Sequence, residues 1–377
     1  MKTTVLYVSY CGKFVSRQFR AGVQRYAKLK GWNLQIVPWE ECRRLRQMID
    51  FWKPVGCILE DSADVGERLL ADGRKLPVVA LDGQDSAKRK NRFRIMHDSR
   101  ASAELAARAL MSLGRDHYAF VGFPYGANWS KVREDAFREI LRQGGKPCCV
   151  YRPSGSKGEW NRSLCRWLGE LPRPCAVFAA NDEVGIAVMS ACAHLGLSVP
   201  DDIAVLGVDN DEELCESATP TLSSIHVDAE RGGYMAAELL DERLRDSSMK
   251  PQVRFFGPLM VMNRMSTCFR ARNDDRVRRG VEFIRNGIGG ELSVGDIARS
   301  MGCSERQARF LFAEALGHSV QDEIRNARLE RVFFYLRCTK CSISAIANFV
   351  GLRDPASLRR FFREQTGRSL SDWRKSH

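Results

Sequence analysis

The 377-residue chain has no uninterrupted apolar run of eighteen residues, which excludes a conventional membrane-spanning helix. Its opening segment, Met1-Lys-Thr-Thr-Val-Leu-Tyr-Val-Ser9, is too short and too soon polar for a secretory signal, so a cytoplasmic location is expected. There is no Gly-x-Ser-x-Gly, no Walker phosphate loop and no His-Glu-x-x-His, and His97, His117, His194, His226, His318 and His377 show no pairing at metal spacing. No catalytic residue, metal or cofactor is therefore expected. The thirteen cysteines are odd in number and irregular in spacing, which fits a reducing compartment better than a disulfide framework. Cys338-Thr-Lys-Cys341 is a lone C-x-x-C with no second pair to complete a zinc site. Acidic residues are scarce at one end: from Arg276 onward 11 Asp and Glu face 19 Lys and Arg, giving this stretch +8 of the whole +13. A basic segment joined to a near-neutral one points to a polyanionic partner.

What that basic segment does contain is the same motif twice. Ser293-Val-Gly-Asp-Ile-Ala-Arg-Ser-Met-Gly302 returns as Ser342-Ile-Ser-Ala-Ile-Ala-Asn-Phe-Val-Gly351. After one inserted residue the match resumes, with Arg309 to Phe312 against Arg359 to Phe362, Glu314 with Glu364, Gly317 with Gly367, Ser319 with Ser369 and Asp322 with Asp372. Each copy reads as a short helix, a turn starting at glycine and a second helix with a polar start. That is the layout of a helix-turn-helix, whose second helix can enter a DNA major groove. A helical repeat protein is the alternative, but two units are too few to bury a continuous solenoid core.

Capping chemistry sets the helix starts. Ser293 with Asp296 and Ser304 with Gln307 have capping-box spacing, and Ser319 with Asp322 opens a third helix running to about Leu336. Along it Ile324, Leu329, Val332, Phe333 and Leu336 recur at roughly helical spacing, which predicts one buried face. About eighteen residues at about 1.5 Å each span about 27 Å. Such a rod can set two reading heads near one DNA turn, about 34 Å, apart.

The segment Leu292 to Arg374, with Ile-Ala in each first helix, Phe-Phe in the second reading helix and a closing Gly-x-Ser-x-x-x-Trp-Arg, resembles the AraC/XylS family of bacterial transcription regulators. The resemblance implies that Arg306, Arg309 and Phe310 face the groove from the first reading helix, and Ala356, Arg359 and Arg360 from the second. Arginine can donate two hydrogen bonds to guanine O6 and N7, which makes Arg309, Arg359 and Arg360 the base readers to test; phosphate contact alone is their other reading. Phe310 stands where the family often has arginine, which suggests apolar contact with a thymine methyl. Leu370 stands where proline is common, which shifts a helix start.

The first 270 residues alternate strand-like runs with amphipathic stretches. Thr4 to Ser9, Val55 to Leu59, Pro77 to Leu81, His117 to Val121, Cys175 to Phe178 and Ile203 to Gly207 are apolar on both faces, as buried parallel strands are. Ser99 to Leu113, Val132 to Leu141 and Asp228 to Leu240 read as helices between them. The alternation predicts a doubly wound α/β architecture.

Phe178-Ala-Ala-Asn-Asp182, Val205-Leu-Gly-Val-Asp-Asn-Asp211 and Pro220-Thr-Leu-Ser-Ser-Ile225, followed by Gly232-Gly and Ala236-Ala, resemble the effector domain of LacI/GalR repressors, a relative of periplasmic sugar-binding proteins. The expected fold is thus an α/β two-lobed periplasmic-binding-protein-like domain over 1–268, a polar linker over 269–275, and an all-α double helix-turn-helix domain over 276–377. The resemblance implies a cleft in which Arg133 fixes ligand hydroxyls and Asp98, Asn181 and Asp209 complete the polar wall. Ser9, Tyr10 and Phe14 follow the first strand and are candidates for the other lobe, where an aromatic ring can stack on a sugar; Trp129 and Trp160 are further candidates.

The two resemblances, in this order along the chain, imply a sugar-responsive activator that acts as a homodimer on double-stranded promoter DNA and contacts RNA polymerase, with a pentose such as xylose as effector. A different metabolite, or an architectural DNA-binder without ligand control, are the alternatives.

Overall fold

Inward-facing apolar strands of the first 268 residues assemble into two parallel-type sheets, and the chain passes between them three times. The computed structural model describes residues 3–10, 14–60, 76–81, 92–124, 126–152, 159–268, 275–316, 318–338, 341–366, 369–371 and 373. Among these, β1 (Thr4–Ser9), β2 (Asn33–Pro38), β3 (Gly56–Glu60), β4 (Val78–Leu81), β5 (Phe93–His97) and β11 (Val253–Phe256) form one sheet in the order β11-β5-β4-β3-β1-β2, parallel throughout. The second sheet holds β6 (His117–Val121), β7 (Cys148–Tyr151), β8 (Cys175–Ala179), β9 (Ile203–Asp209), β10 (Ser223–Val227) and β12 (Pro258–Met262) in the order β12-β10-β9-β8-β6-β7. Only β12 runs antiparallel to its neighbour there.

The strands read as apolar on both faces sit at the centres of these sheets, with β1, β3, β8 and β6 almost wholly buried. The outer strands β2 and β7 are half-buried and mixed in character, so they carry no such run. The helices of the first lobe are α1 (Phe14–Lys30), α2 (Leu45–Trp52) and α8 (Ala229–Arg245); those of the second are α3 (Ser99–Met111), α4 (Asn128–Gln143), α5 (Trp160–Glu170), α6 (Asp182–His194) and α7 (Glu212–Ser217). Helices α1 and α8 lie backbone to backbone because each offers a glycine: a Cβ on Gly22 would meet Glu230 O at 1.9 Å, and one on Gly233 would meet Phe19 O at 1.9 Å.

The three passages between lobes follow β5, β10 and β11. Asp98 N donates to Phe256 O over 2.7 Å and Asp228 N to Gly257 O over 3.1 Å, so the passages are stitched to one another. Asp98 and Asp228 also cap the helices that leave the hinge, accepting from Ala101 N and Arg231 N.

Among the described residues six helices follow: α9 (Asp275–Gly287), α10 (Val294–Met301), α11 (Glu305–Leu316), α12 (Val320–Cys338), α13 (Ile343–Phe349) and α14 (Pro355–Thr366). Ser293 and Asp296 form a reciprocal capping box at α10, Ser342 caps α13, and Gly302 and Gly351 take left-handed turns at φ 69° and 67° that L-residues with a Cβ resist. The two copies therefore fold alike. Helix α12 differs from the single buried face its spacing suggests. Ile324 and Ala327 join the core of the first unit with Ile297, Met301 and Phe312, whereas Leu329, Val332, Phe333 and Leu336 join that of the second with Ile346, Leu358, Phe362 and Trp373. One helix serves two cores on different sides, so its apolar residues do not converge on one stripe. Both cores also touch the second lobe: Met265 and Cys268 pack on the first, Leu259 and Met260 on the second. Residues 269–274 of the expected linker and Thr339 and Lys340 of the C-x-x-C lie outside the described residues, and Asp275 already opens α9.

Candidate ligand cleft and nucleic-acid interface

Between the lobes, at the carboxyl ends of the strands, lies a cavity of about 440 Å³. Arg133 on α4, Asn181 at the start of α6, Asp209 at the end of β9 and Tyr10 after β1 all line it. Asp98 and Ser9 are not among its lining residues. Asp98 caps α3 at the hinge, and Ser9, which is 1 % exposed, donates from Oγ to Glu60 Oε1 over 2.7 Å.

Arg133 is held from several sides. It donates from Nη1 to Ala180 O and from Nη2 to His97 Nδ1 over 2.7 Å, while its guanidinium lies 4.7 Å from the centre of the Trp129 ring. Because arginine can only donate, His97 Nδ1 accepts, which places the ring proton on Nε2, 2.9 Å from Ser102 Oγ. Burial, reinforced by the Arg133 charge, pushes the His97 pKa well below its usual value, so the ring stays neutral. Phe256 stacks on it at 5.3 Å.

Glu60, at the end of β3, organises the first-lobe wall. It accepts from the Tyr7 hydroxyl and Ser9 through Oε1 and from Tyr10 N through Oε2 at 3.0 Å. Burial, with the carboxylate beside it, raises the Tyr7 hydroxyl well above the ordinary phenol range. On the second-lobe side Asp182 accepts from Ser224 Oγ at 2.6 Å and Asp211 N at 2.8 Å. Burial lifts its pKa to about 7 against the lowering effect of those bonds. Gly207 leaves room for this carboxylate: a Cβ there would stand 2.2 Å from Asp182 Oδ1. Asp209 and Asn210 follow with φ of 110° and 52°, left-handed values uncommon for residues other than glycine and typical of functional loops.

Glu60, His97, Asp182, Asp211 and Phe256 also line the cavity, though none of them is among the cleft residues expected from the sequence. Glu60 was readable, since it directly follows a recognised strand and such strand ends face the cleft. His97 and Phe256 end strands whose sequences, Phe-Arg-Ile-Met-His and Val-Arg-Phe-Phe, contain an arginine and carry no plain apolar run. Trp129 reaches the cavity; Trp160 packs 6.2 Å from Tyr151 in the second lobe and is not among the lining residues.

In the helical domain Arg306, Arg309 and Phe310 are exposed on α11, opposite the buried Ala308, Phe312 and Ala315. Ala356, Arg359 and Arg360 are exposed on α14, opposite Leu358 and Phe362. Arg309 pairs with Glu305 at 3.2 Å, a surface contact that a stronger anion can displace. Phe310 is 64 % exposed, which packing alone does not account for.

Residues 107–267 match the periplasmic binding protein-like domain family, and residues 297–376 match a helix-turn-helix domain family. The chain thus joins a periplasmic-binding-protein-like domain to a helix-turn-helix domain of the AraC type, the domain pair of a sugar-responsive DNA-binding regulator. It is similar to the xylose operon regulatory protein of Escherichia coli strain K12, with 29 % identity over 350 residues covering 90 % of this chain and 88 % of that one. The xylose operon regulatory protein of Haemophilus influenzae is 26 % identical over 263 residues, 68 % of each chain. In fold it resembles a xylose-binding transcription activator over 100 % of this chain and 98 % of the other, with TM-score 0.62 and 24 % identity. The lac repressor dimer bound to operator shares the fold of 71 % of this chain and 94 % of that one, with TM-score 0.58 and 17 % identity.

Proposed function

We propose that this chain is a sugar-responsive transcription activator whose effector is a neutral pentose such as xylose. The observation that carries the reading is the composition of the cleft wall, where Arg133, Asn181, Asp209 and Glu60 stand among the rings of Tyr10, Phe14 and Trp129. Charged planar groups pair with neighbouring hydroxyls, and aromatic faces cover the apolar side of a sugar ring. Acidic residues outnumber Arg133 there, which favours an uncharged sugar over a phosphorylated one. The names of the relatives point to the same sugar.

On this reading residues 1–268 form the effector domain, 269–275 the linker and 276–377 the DNA reader. The protein acts without catalysis in the cytoplasm, as a homodimer that places its readers on promoter DNA and contacts RNA polymerase. Arg309, Arg359 and Arg360 read bases, with Arg306, Phe310 and Ala356 beside them. The ligand biases DNA binding only through its difference in affinity for the open and closed lobes.

Thermal unfolding against aldopentoses, aldohexoses, ketoses and sugar phosphates tests the effector. At a hundred times the dissociation constant a true ligand stabilises by about 2.7 kcal/mol. A shift with xylose and none with its phosphate supports the reading; a shift with phosphorylated sugars alone overturns it.

A further inference from the structure

A second cavity, about 410 Å³, lies where both lobes meet the helical domain. Phe14 and Gln18 of α1 reach it from the first lobe, Asn210 and Arg264 from the second, and Glu330 and Phe333 of α12 from the DNA reader. Phe14 also lines the ligand cleft, so one side chain borders both spaces.

Asn210 stands between two cleft-lining residues, Asp209 and Asp211, yet is only 2 % exposed and turns its side chain toward this second cavity. Its Oδ1 accepts from Arg264 Nη1 at 2.9 Å, and its Nδ2 lies 3.4 Å from His226 Nδ1. Arg264 is anchored further by Glu216 at 2.6 Å and by Leu222 O at 3.1 Å. The His226 ring centre lies 6.4 Å from that of Phe333, which in turn lies 5.5 Å from Phe362 and 5.2 Å from Trp373. Phe362 is the buried anchor of α14, the second reading helix. Four side chains therefore link the floor of the cleft to the core beneath the DNA-facing arginines. Glu330 borders the same space, where burial raises its carboxyl pKa to about 7 against Arg285 and Arg264.

We propose that Asn210 is a positioning residue that couples cleft occupancy to the second reading unit, through His226 and Arg264 to Phe333 and α14. This rests on the reading of the cleft as the effector site. Asp209 and Asn210 sit in left-handed backbone conformations between β9 and the Asp211 cap of α7, and any ligand that engages Asp209 or Asp211 moves Asn210 with them. The shift passes to Phe333, and α14 turns relative to α11, which belongs to the separate first core. Coupling of this kind is reciprocal, so a change at Phe333 is felt at Asn210.

The test is hydrogen exchange on the full chain for wild type, Asn210→Gly and Phe333→Leu. Glycine keeps the left-handed backbone and deletes only the side chain. Without ligand, Asn210→Gly should speed exchange in 326–336 and 355–366 while leaving 294–316 unchanged, and Phe333→Leu should speed exchange in 209–211. Changes confined to the substituted element in both variants overturn the proposal. With D-xylose added, wild type should gain protection from the cleft through to 355–366, whereas Asn210→Gly gains it in the cleft alone with a Kd within about threefold of wild type. Failure of wild type to bind D-xylose counts against the sugar reading, and the ligand-free comparison still decides the coupling.

Discussion

Arg133 Nη2 and His97 Nδ1 meet at 2.7 Å across the hinge, the arginine from α4 of the second lobe and the histidine from the end of β5 in the first. The pair joins the lobes at the back of the cleft, and the neutral histidine leaves the arginine charge available to a ligand. Replacing Arg133 with lysine keeps the charge but loses the planar fork. Sugar affinity should fall by about 1.5 to 3 kcal/mol, roughly 10- to 150-fold, as for other hydrogen bonds to charged groups. Calorimetric titration measures this, and DNA binding without sugar should stay as in wild type.

On the DNA side, Phe310 separates reading from folding. It is 64 % exposed and opposite the core face of α11, so Phe310→Ala should change stability by no more than about 0.5 kcal/mol. Specific DNA affinity should nevertheless drop, because an apolar contact to a thymine methyl is lost. Anisotropy titration on promoter DNA beside a chemical melt distinguishes the two; a stability loss without an affinity loss makes Phe310 a packing residue.

Arg359→Ala and Arg360→Ala should each weaken specific binding by about 1 to 3 kcal/mol and relax preference at one base position. A uniform loss across sequences, with a shallower salt dependence, would instead assign the residue to phosphate contact.

Much of this arrangement is legible in the sequence, and the exceptions have physical causes. Central strands such as β1 and β6 are buried on both faces and announce themselves as apolar runs. The edges β2 and β7, half wetted, have no reason to be uniform. The duplicated helices declare their ends through Ser293, Ser342, Gly302 and Gly351, since capping is a local matter. The division of α12 between two cores depends on where the two units pack, which spacing along one helix does not encode. In the cleft, Asp209 stands in a recognisable phrase, and Arg133 follows from the same resemblance. His97 and Phe256 acquire their places only when three passages between lobes converge, a long-range consequence of topology. Asp98 looked like a cleft residue, whereas its carboxylate accepts from Ala101 N as a helix cap, the ordinary use of an aspartate after a strand.

Two glycines provide a test of the fold with opposite signs. Gly233→Ala would drive a Cβ to 1.9 Å from the Phe19 carbonyl oxygen, so α1 and α8 must separate, at a cost of several kcal/mol, about 3 or more. Gly169→Ala, exposed within α5 with no neighbour within 4 Å, should stabilise by about 0.5 to 1 kcal/mol. Urea melts of the two variants read both signs.

Glu330 gives a pH signature. Burial raises its folded-state pKa to about 7, above the ordinary carboxylate value, so the folded chain holds a proton that the unfolded chain releases as pH rises from about 4.5. The resulting loss of stability develops between about pH 4.5 and 7 and is complete above that. Glu330→Gln removes it: the variant should match wild type near pH 4.5 and be the more stable, by on the order of 1 kcal/mol, at pH 8. Melts at the two pH values settle the sign.

The most direct test of ligand-biased DNA reading is the affinity of the full-length protein for its own promoter DNA, measured by anisotropy at fixed salt with and without saturating D-xylose. A coupling of about 1 to 3 kcal/mol, a 5- to 150-fold change in Kd, is expected, and it should vanish in the Arg133→Ala variant. Sugar that binds the cleft while leaving DNA affinity unchanged in both proteins would contradict the account.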